Sequence, residues 1–554
     1  MRVATLLVPV VMALAASPAT ADTLLVNARI HTMDEQRPEA TAMAWSDDGM
    51  LLAVGDGADL QARFPEAARV DANGAVVVPG LIDAHGHMLD LGAMLSRANL
   101  VGAATKAEAI DRLRTFARDL PDGAWLLGYG WDQNDWPGHE FPDAADLDAA
   151  FPDRPVYLDR VDGHAAWVNS AAMQLATRAL DGDWQPEGGQ IRRVQGKPTG
   201  ILIDGATALV AAAIPTPSDA EREAAYKAAF ARAVANGLTG VHDAGIDLAD
   251  FRLLQKLAER GEIPLRLYEM ARGKDTLEWL CGEHGHWRDP SGRLRMQAIK
   301  LFIDGALGSR GAELLADYSD EPGNHGLFVT DPETYRGLVE QAHACGVQVN
   351  THAIGDGGNR VVLDTYAAVL GEDAIYSDHR WRVEHAQIVA RDDLPRFAAL
   401  HLIASMQPTH ATSDMPWAEQ RLGKDRLYGA YAWQRMLKQG VPLAFGSDFP
   451  VEDVNPMLGL YAAVTRQDLD GQPPGGWLPD QRVSRKQALA GFTRGAAYAS
   501  FMEDEVGQLK RGLRADFVIL DADPMTVAPR AIADIKPRST WVDGKAVYRA
   551  PSAP

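Results

Sequence analysis

The stretch GAVVVPGLIDAHGHM, residues 74–88, decides the fold. An apolar run ends there in two histidines separated by one residue. In an extended chain, side chains at i and i+2 share a face, so His85 and His87 converge on one point at the end of a buried strand. Two imidazoles so placed can hold one metal ion. Taken alone, they could equally cap a strand and be satisfied by their neighbours.

The same form recurs along the chain. GVQVNTHAIGDGG (346–358) delivers His352, WRVEHAQI (381–388) delivers His385, and VPLAFGSDFP (441–450) delivers Asp448. Each is an apolar strand followed by a side chain competent to bind metal. A fourth segment, MQAIKLFIDGALGSR (296–310), carries Lys300 inside a strand-like run. Lysine is rarely buried without a partner, because desolvating its charge is costly, and burial favours the neutral amine. A neutral amine can take up carbon dioxide as a carbamate that bridges two metals. Pairing with Asp304, two strand steps along the same face, is the alternative for Lys300.

The order His-x-His, Lys, His, His, Asp resembles that of the amidohydrolase superfamily of metal-dependent hydrolases. The likeness is nearest to the YtcJ-like branch, which includes N-substituted formamide deformylases. It extends through GYGWDQNDWPG (128–138), DGHAAWVNSAAM (162–173), GLTGVHDAG (237–245), KLFIDGALGSRGA (300–312), MQPTHATSD (406–414), GSDFPVEDVNP (446–456) and GQLKRGLRADFVILD (507–521). The resemblance implies a metal-dependent hydrolase cleaving a non-peptide C–N bond of an amide or an N-acyl or N-formyl amine. It implies that His85, His87 and Asp448 hold one metal and His352 and His385 a second, with carbamylated Lys300 between them. Asp448 would be the general base. Deamination at a mononuclear site is the variant within the enzyme class, and a non-catalytic secreted protein that binds metal or solute, or regulates, is the rival outside it.

Candidate barrel strands are 76–84, 238–243, 264–271, 296–304, 346–352, 381–385, 402–408 and 442–448, with helical patterns between them. Eight strands alternating with helices predict an α/β fold, a (β/α)8 TIM-like barrel. The proposed ligands fall at or just inside C-terminal strand ends, where such barrels place their chemistry. Residues 22–79 and 505–554 read as short strands and turns, including a hairpin around Asp47-Asp48-Gly49. Neither end could bury a core alone, so both are expected to form one small β-sandwich beside the barrel (80–504). Between about 92 and 236 no second barrel strand occurs. That interval is too long for a bare loop and predicts an inserted subdomain over the barrel mouth that shapes the pocket.

In that insert, His164 is a candidate to hydrogen-bond a substrate carbonyl, with a structural turn histidine as the alternative. Trp131, Arg310, His410 and Phe449 lie in or beside the family-like segments and are expected to line the substrate pocket. His242 ends a strand and reads as a supporting or packing residue. A second His-x-His, His284 and His286, has no apolar strand leading in and reads as a surface loop.

With 54 Lys and Arg against 75 Asp and Glu, the net charge is -21, and no basic run occurs. Nucleic acid and anionic membrane surfaces are therefore poor partners; the resemblance implies a small-molecule substrate, and a homodimer is compatible with this reading. Arg2, the apolar run LLVPVVMALAA and Ala19-Thr20-Ala21 have the form of a signal peptide cleaved after Ala21, predicting a secreted or periplasmic protein. The run is too short to span a bilayer. The two cysteines, Cys281 and Cys345, could pair in an oxidising compartment. A core this large needs no staple, so free thiols are the expectation. Nitrogen and oxygen ligands suit zinc and, less strongly, manganese or iron, at one or two ions per chain.

Overall fold

The structure, a computed structural model, describes residues 22–551 apart from 122, 161–164 and 187–188. The signal-peptide segment and His164 lie outside the described residues. The chain divides into two compact units, residues 1–86 with 231–554, and residues 87–230.

The first unit holds eight parallel strands: β1 (Leu81–Gly86), β2 (Leu238–Ile246), β3 (Arg266–Ala271), β4 (Leu294–Phe302), β5 (Gln348–Ala353), β6 (Arg382–His385), β7 (Ile403–Met406) and β8 (Leu443–Phe445). They pair in chain order. The residues after β8 close the ring against β1. Asp448 N donates to His85 O at 2.7 Å, and Gly86 bridges Phe449 in parallel. Asp83 accepts from the Ser447 backbone N–H at 3.1 Å and its hydroxyl at 2.7 Å. Glycine at 446 permits this approach, since a Cβ there would lie 2.5 Å from His85 N. The result is a (β/α)8 barrel.

Alternation along β1 explains its two faces. Ile82 and Ala84 pack outward with Ala496, Ala497 and Ala499, whereas Asp83 and His85 carry the polar contacts. The expected first strand, 76–84, divides at Gly80. Val76–Pro79 joins the sandwich and Leu81–Gly86 the barrel. Gly80 N donates to Asp516 O, and a Cβ at Gly80 would strike Thr239.

The chain ends build two sheets. One has four strands, all N-terminal; it contains the Ala42–Trp45 and Leu51–Gly55 hairpin around Gly49 (φ 83°). The other has six and joins Val76–Pro79 to Phe517–Leu520 from the C-terminal end. Both chain ends thus meet in one sheet of the sandwich only. Trp45, Phe517 and Trp541 pack in its core, the last two stacked at 5.1 Å. The second unit has a six-stranded sheet of its own, from Ala98–Asn99 to Lys197–Asp204 and Gly189–Val194. Its core includes Trp131, Trp136 and Trp167.

Cys281 and Cys345 form a disulfide, contrary to the expectation of free thiols. Helices Gly273–Gly282 and Pro332–Ala344 follow the adjacent strands β3 and β4, and both end at these cysteines, whose Cα atoms lie 5.2 Å apart. The closed loop spans 64 residues. In the chain-entropy account a loop of that size contributes on the order of 4 kcal/mol. Cys345→Ser is expected to lower the thermal unfolding midpoint by several degrees under non-reducing conditions, a difference that reductant should abolish. Coincident melting curves of the two proteins without reductant would count against this contribution.

Candidate metal centre

Strand ends of the barrel bring three ligand types together. His85 is the penultimate residue of β1, His385 closes β6, and Asp448 follows β8. One ligand atom from each lies within 4.8 Å of the others, and all three residues are buried. His385 and Asp448 adopt left-handed backbone, with φ of 69° and 63°, as does Ala386 at 41°. Such conformations are uncommon for residues other than glycine and cluster at functional sites. Here they turn the chain just where the ligands are presented.

His85 is oriented from behind. Its Nδ1 lies 2.5 Å from Glu384 Oε2. A carboxylate can only accept, so Nδ1 carries the proton and Nε2 presents its lone pair. Burial alone would raise Glu384, but Arg382 and His85 overcome it and hold the carboxyl below the usual range. Arg382 Nε stands 2.7 Å from Glu384 Oε1. Its other nitrogens reach Ala84 O (2.6 Å), Ser405 Oγ (2.8 Å) and His242 Nδ1 (3.0 Å). His385 Nδ1 lies 2.8 Å from Gln407 Oε1.

Lys300 Nζ lies 3.1 Å from His85 Nε2 and 4.6 Å from the centre of the Phe302 ring. Burial lowers its amine to about 8, against the pull of Glu384 and Asp448. The alternative pairing with Asp304 does not form. Asp304 accepts backbone N–H bonds from Glu313, Ile354 and Gly355 at 3.0, 3.0 and 2.7 Å, and burial raises it to about 7. His352 neighbours His385, ring centres 4.5 Å apart, and its Nε2 faces Gly305 O and Asp304 Oδ1 at 3.5 and 3.7 Å. Burial, then the Lys300 charge, lowers His85 to about 4 and His352 to about 3; burial and His352 push His385 well below its ordinary value. Burial thus favours the neutral imidazole at all three, the form a metal requires.

Two neutral imidazole nitrogens and a convergent carboxylate oxygen fit a divalent cation with room for further ligands. His385 stands between the two expected groups, its ring centre 4.8 Å from that of His85 and 4.5 Å from that of His352. His87 is the first residue of the second unit and keeps extended backbone (φ -129°, ψ 93°) at the N-cap of helix Met88–Leu95.

Three expected substrate contacts have protein partners of their own. Trp131 is fully buried in the aromatic core of the second unit, its indole N–H given to Leu158 O at 2.9 Å, which leaves no surface for a ligand. Phe449 is fully buried where the barrel closes; a Cβ on Gly86 would lie 2.4 Å from its ring. Arg310 is engaged by Asp320 through two bonds at 3.0 and 3.1 Å, and by Glu321. His410 is brought to the centre, with Nε2 3.7 Å from Asp448 Oδ2. Sequence reading passed over Arg382, Glu384, Asp83 and Gln407. The signal for the first two was present, as charges at i and i+2 of a strand four residues long whose remaining side chains are Val383 and His385.

Neutral imidazoles and an acidic ligand at the C-terminal strand ends of a (β/α)8 barrel define a metal-dependent hydrolase. The sequence matches the amidohydrolase family over residues 68–548, and the chain belongs to that family. It is 32% identical to the putative amidohydrolase YtcJ of Bacillus subtilis, over 94% of this chain and 98% of that one. It is 27% identical to an N-substituted formamide deformylase of Arthrobacter pascens, over 95% and 98%. Among solved structures, a metal-dependent hydrolase of Pyrococcus horikoshii is similar at 28% identity, with a TM-score of 0.75 over 92% of this chain and 99% of that one.

Two substitutions test the support behind His85. Glu384→Gln should weaken divalent metal binding about 10- to 100-fold, measured by competition with a chelator. Arg382→Met strands a buried carboxylate and should cost about 3–5 kcal/mol of stability in denaturant unfolding. Unchanged metal affinity in the first variant would show that Glu384 does not orient the ligand.

Proposed function

We propose that this amidohydrolase cleaves the C–N bond of a small amide, an N-acyl or N-formyl amine, outside the cytoplasm. The observation that carries the reading is the buried convergence of His85, His385 and Asp448, with the Lys300 amine against His85. The similarity to a formamide deformylase supports the bond class. The disulfide and the signal-like segment 1–21 support export, since disulfides persist in oxidising compartments.

A divalent metal, with zinc the best suited to this donor set, would polarise the scissile carbonyl and make the attacking water acidic at neutral pH. The protein's own groups do the rest. Asp448 accepts the proton as water oxygen bonds to the carbonyl carbon, and returns it to the nitrogen as the C–N bond breaks. The products are a carboxylic acid and an amine, so atoms and charge balance. Glu384 and Gln407 hold the two imidazoles so that neither swings toward the substrate.

Lys300 decides how many metals are held. Its lowered amine is suited to taking up carbon dioxide as a carbamate, with release of one proton, which would add a bridging anion beside His352. A mononuclear centre is the variant reading, built on the one convergent group of His85, His385 and Asp448 with Lys300 left as an amine.

Metal content per chain, on protein produced with zinc and carbon dioxide supplied, separates the two. About two ions, falling on Lys300→Ala, is the result expected of the carbamate-bridged centre; about one ion, unaffected by that change, removes the bridge. Turnover of a panel of N-formyl and N-acyl amines should be detectable in the wild type and fall about 10²- to 10⁴-fold in Asp448→Asn. Ammonia release from amino-substituted rings, with no amide cleaved, would favour a deaminase. Absence of turnover with ligand affinity kept in Asp448→Asn would favour a binding protein.

A further inference from the structure

Helix Pro408–Asp414 starts two residues after β7 and places His410 and Asp414 one turn apart on one face. The His410 ring lies parallel to that of His385, centroids 5.9 Å apart at 14°. Its Nε2 is buried and has no hydrogen-bond partner among the described residues; at 3.7 Å, Asp448 Oδ2 is beyond hydrogen-bond reach. A buried nitrogen left unpaired beside the general base carries a desolvation penalty that an arriving ligand can relieve.

Asp414 is held beneath it by a fixed set of groups. The Tyr431 hydroxyl donates to Asp414 Oδ2 at 2.5 Å and Gln387 Nε2 donates to the same oxygen at 3.0 Å. Gln387 also reaches Tyr431 Oη at 2.9 Å, and Tyr431 N donates to Gln387 O at 2.7 Å. The Tyr431 carbonyl in turn accepts from Arg466 Nη1 at 3.0 Å, and Arg466 is buried among the rings of Tyr431, Trp433 and Trp477. Burial raises the Asp414 carboxyl, and His410, one helical turn away, opposes that rise.

We propose that His410 is a catalytic residue whose Nε2 donates a hydrogen bond to the carbonyl oxygen of the bound substrate, and that Asp414, fixed by Tyr431 and Gln387, is the residue that positions it. The inference rests on the hydrolase reading above and names the group that grips the scissile carbonyl. A donor aimed at that oxygen gains strength as negative charge gathers there, which is where a fixed hydrogen bond accelerates acyl chemistry most. It also explains a histidine set against an acidic ligand without joining the convergent group.

The test uses the zinc-loaded full chain and acetohydroxamate, which carries the carbonyl and N–H of an amide, with azide as a probe that lacks a carbonyl. By calorimetry, His410→Ala should weaken acetohydroxamate about 10- to 100-fold and leave azide unchanged. His410→Gln, which keeps a donor, should recover part of the loss. Asp414→Asn should weaken acetohydroxamate in the wild-type background and add little to His410→Ala, the signature of one residue acting through the other. The proposal is overturned if acetohydroxamate binds His410→Ala as well as wild type, if azide falls in step with it, or if the zinc-loaded wild type does not bind acetohydroxamate. Failure of wild type to hydrolyse any N-acyl or N-formyl amine would reject the amide-cleaving reading instead, and the acetohydroxamate comparison would still decide the role of His410.

Discussion

The ion pair between Arg382 and Glu384 stands where water does not reach, and the centre is built on it. Withdrawing two charges from water costs several kcal/mol each, and mutual attraction offsets that only when the remaining donors and acceptors are satisfied. Arg382 meets the condition by spanning the barrel, touching β1 at Ala84, β2 at His242 and β7 at Ser405. Glu384 meets it by accepting the His85 proton. The negative charge thus fixed behind His85 sets its tautomer and raises the basicity of the nitrogen that faces the centre. An apolar pair at 382 and 384 would be cheaper to bury and could do neither.

Closure of the barrel is the second constraint. Asp448 reaches the centre only because its own N–H is tied to His85 O and the residue before it to Asp83. Left-handed backbone at His385, Ala386 and Asp448 costs on the order of 1–3 kcal/mol per residue. The parallel ladder from β1 to β8 and the Gly446 approach keep these residues from relaxing. The ligand geometry is therefore a property of the whole ring rather than of the loops after each strand.

Much of this was legible in the sequence because it depends on period and order. The barrel strands and their candidate ligands followed apolar runs of the right length, and the Asp-Asp-Gly hairpin formed where the turn residues stood. Features that depend on meeting in space were not legible. Nothing local marks Gly80 as the point where one apolar run serves two sheets, nor shows that the helices bearing Cys281 and Cys345 end side by side. Trp131 and Phe449 looked like pocket residues because aromatics near family-like motifs often are; burial in the core of the second unit and at the barrel closure, respectively, gives them another use. Arg310 looked available until Asp320 appeared ten residues on. Glu384 was hidden by its neighbour, since a ligand at 385 drew attention from the residue that alternation sends into the barrel.

Lys300 shows why the centre cannot be neutral to its own chemistry. An ammonium 3.1 Å from His85 Nε2 occupies the approach to the nitrogen that would ligate a cation. At an effective dielectric near 20, two unit charges about 4 Å apart repel by roughly 4 kcal/mol, several powers of ten in affinity. That conflict cannot be relieved by turning the lysine away. Its stem rises near the C-terminal end of β4, where Lys300 pairs with Asn350 of β5, and its amine already rests over Phe302. Two routes remain: the lysine gives up its proton, or it becomes a carbamate and changes sign. The burial that lowers its amine serves both, because only the neutral form can react with carbon dioxide. A lysine retained at this position as a plain cation would work against the three ligands around it, so metal binding and the chemical state of Lys300 must change together.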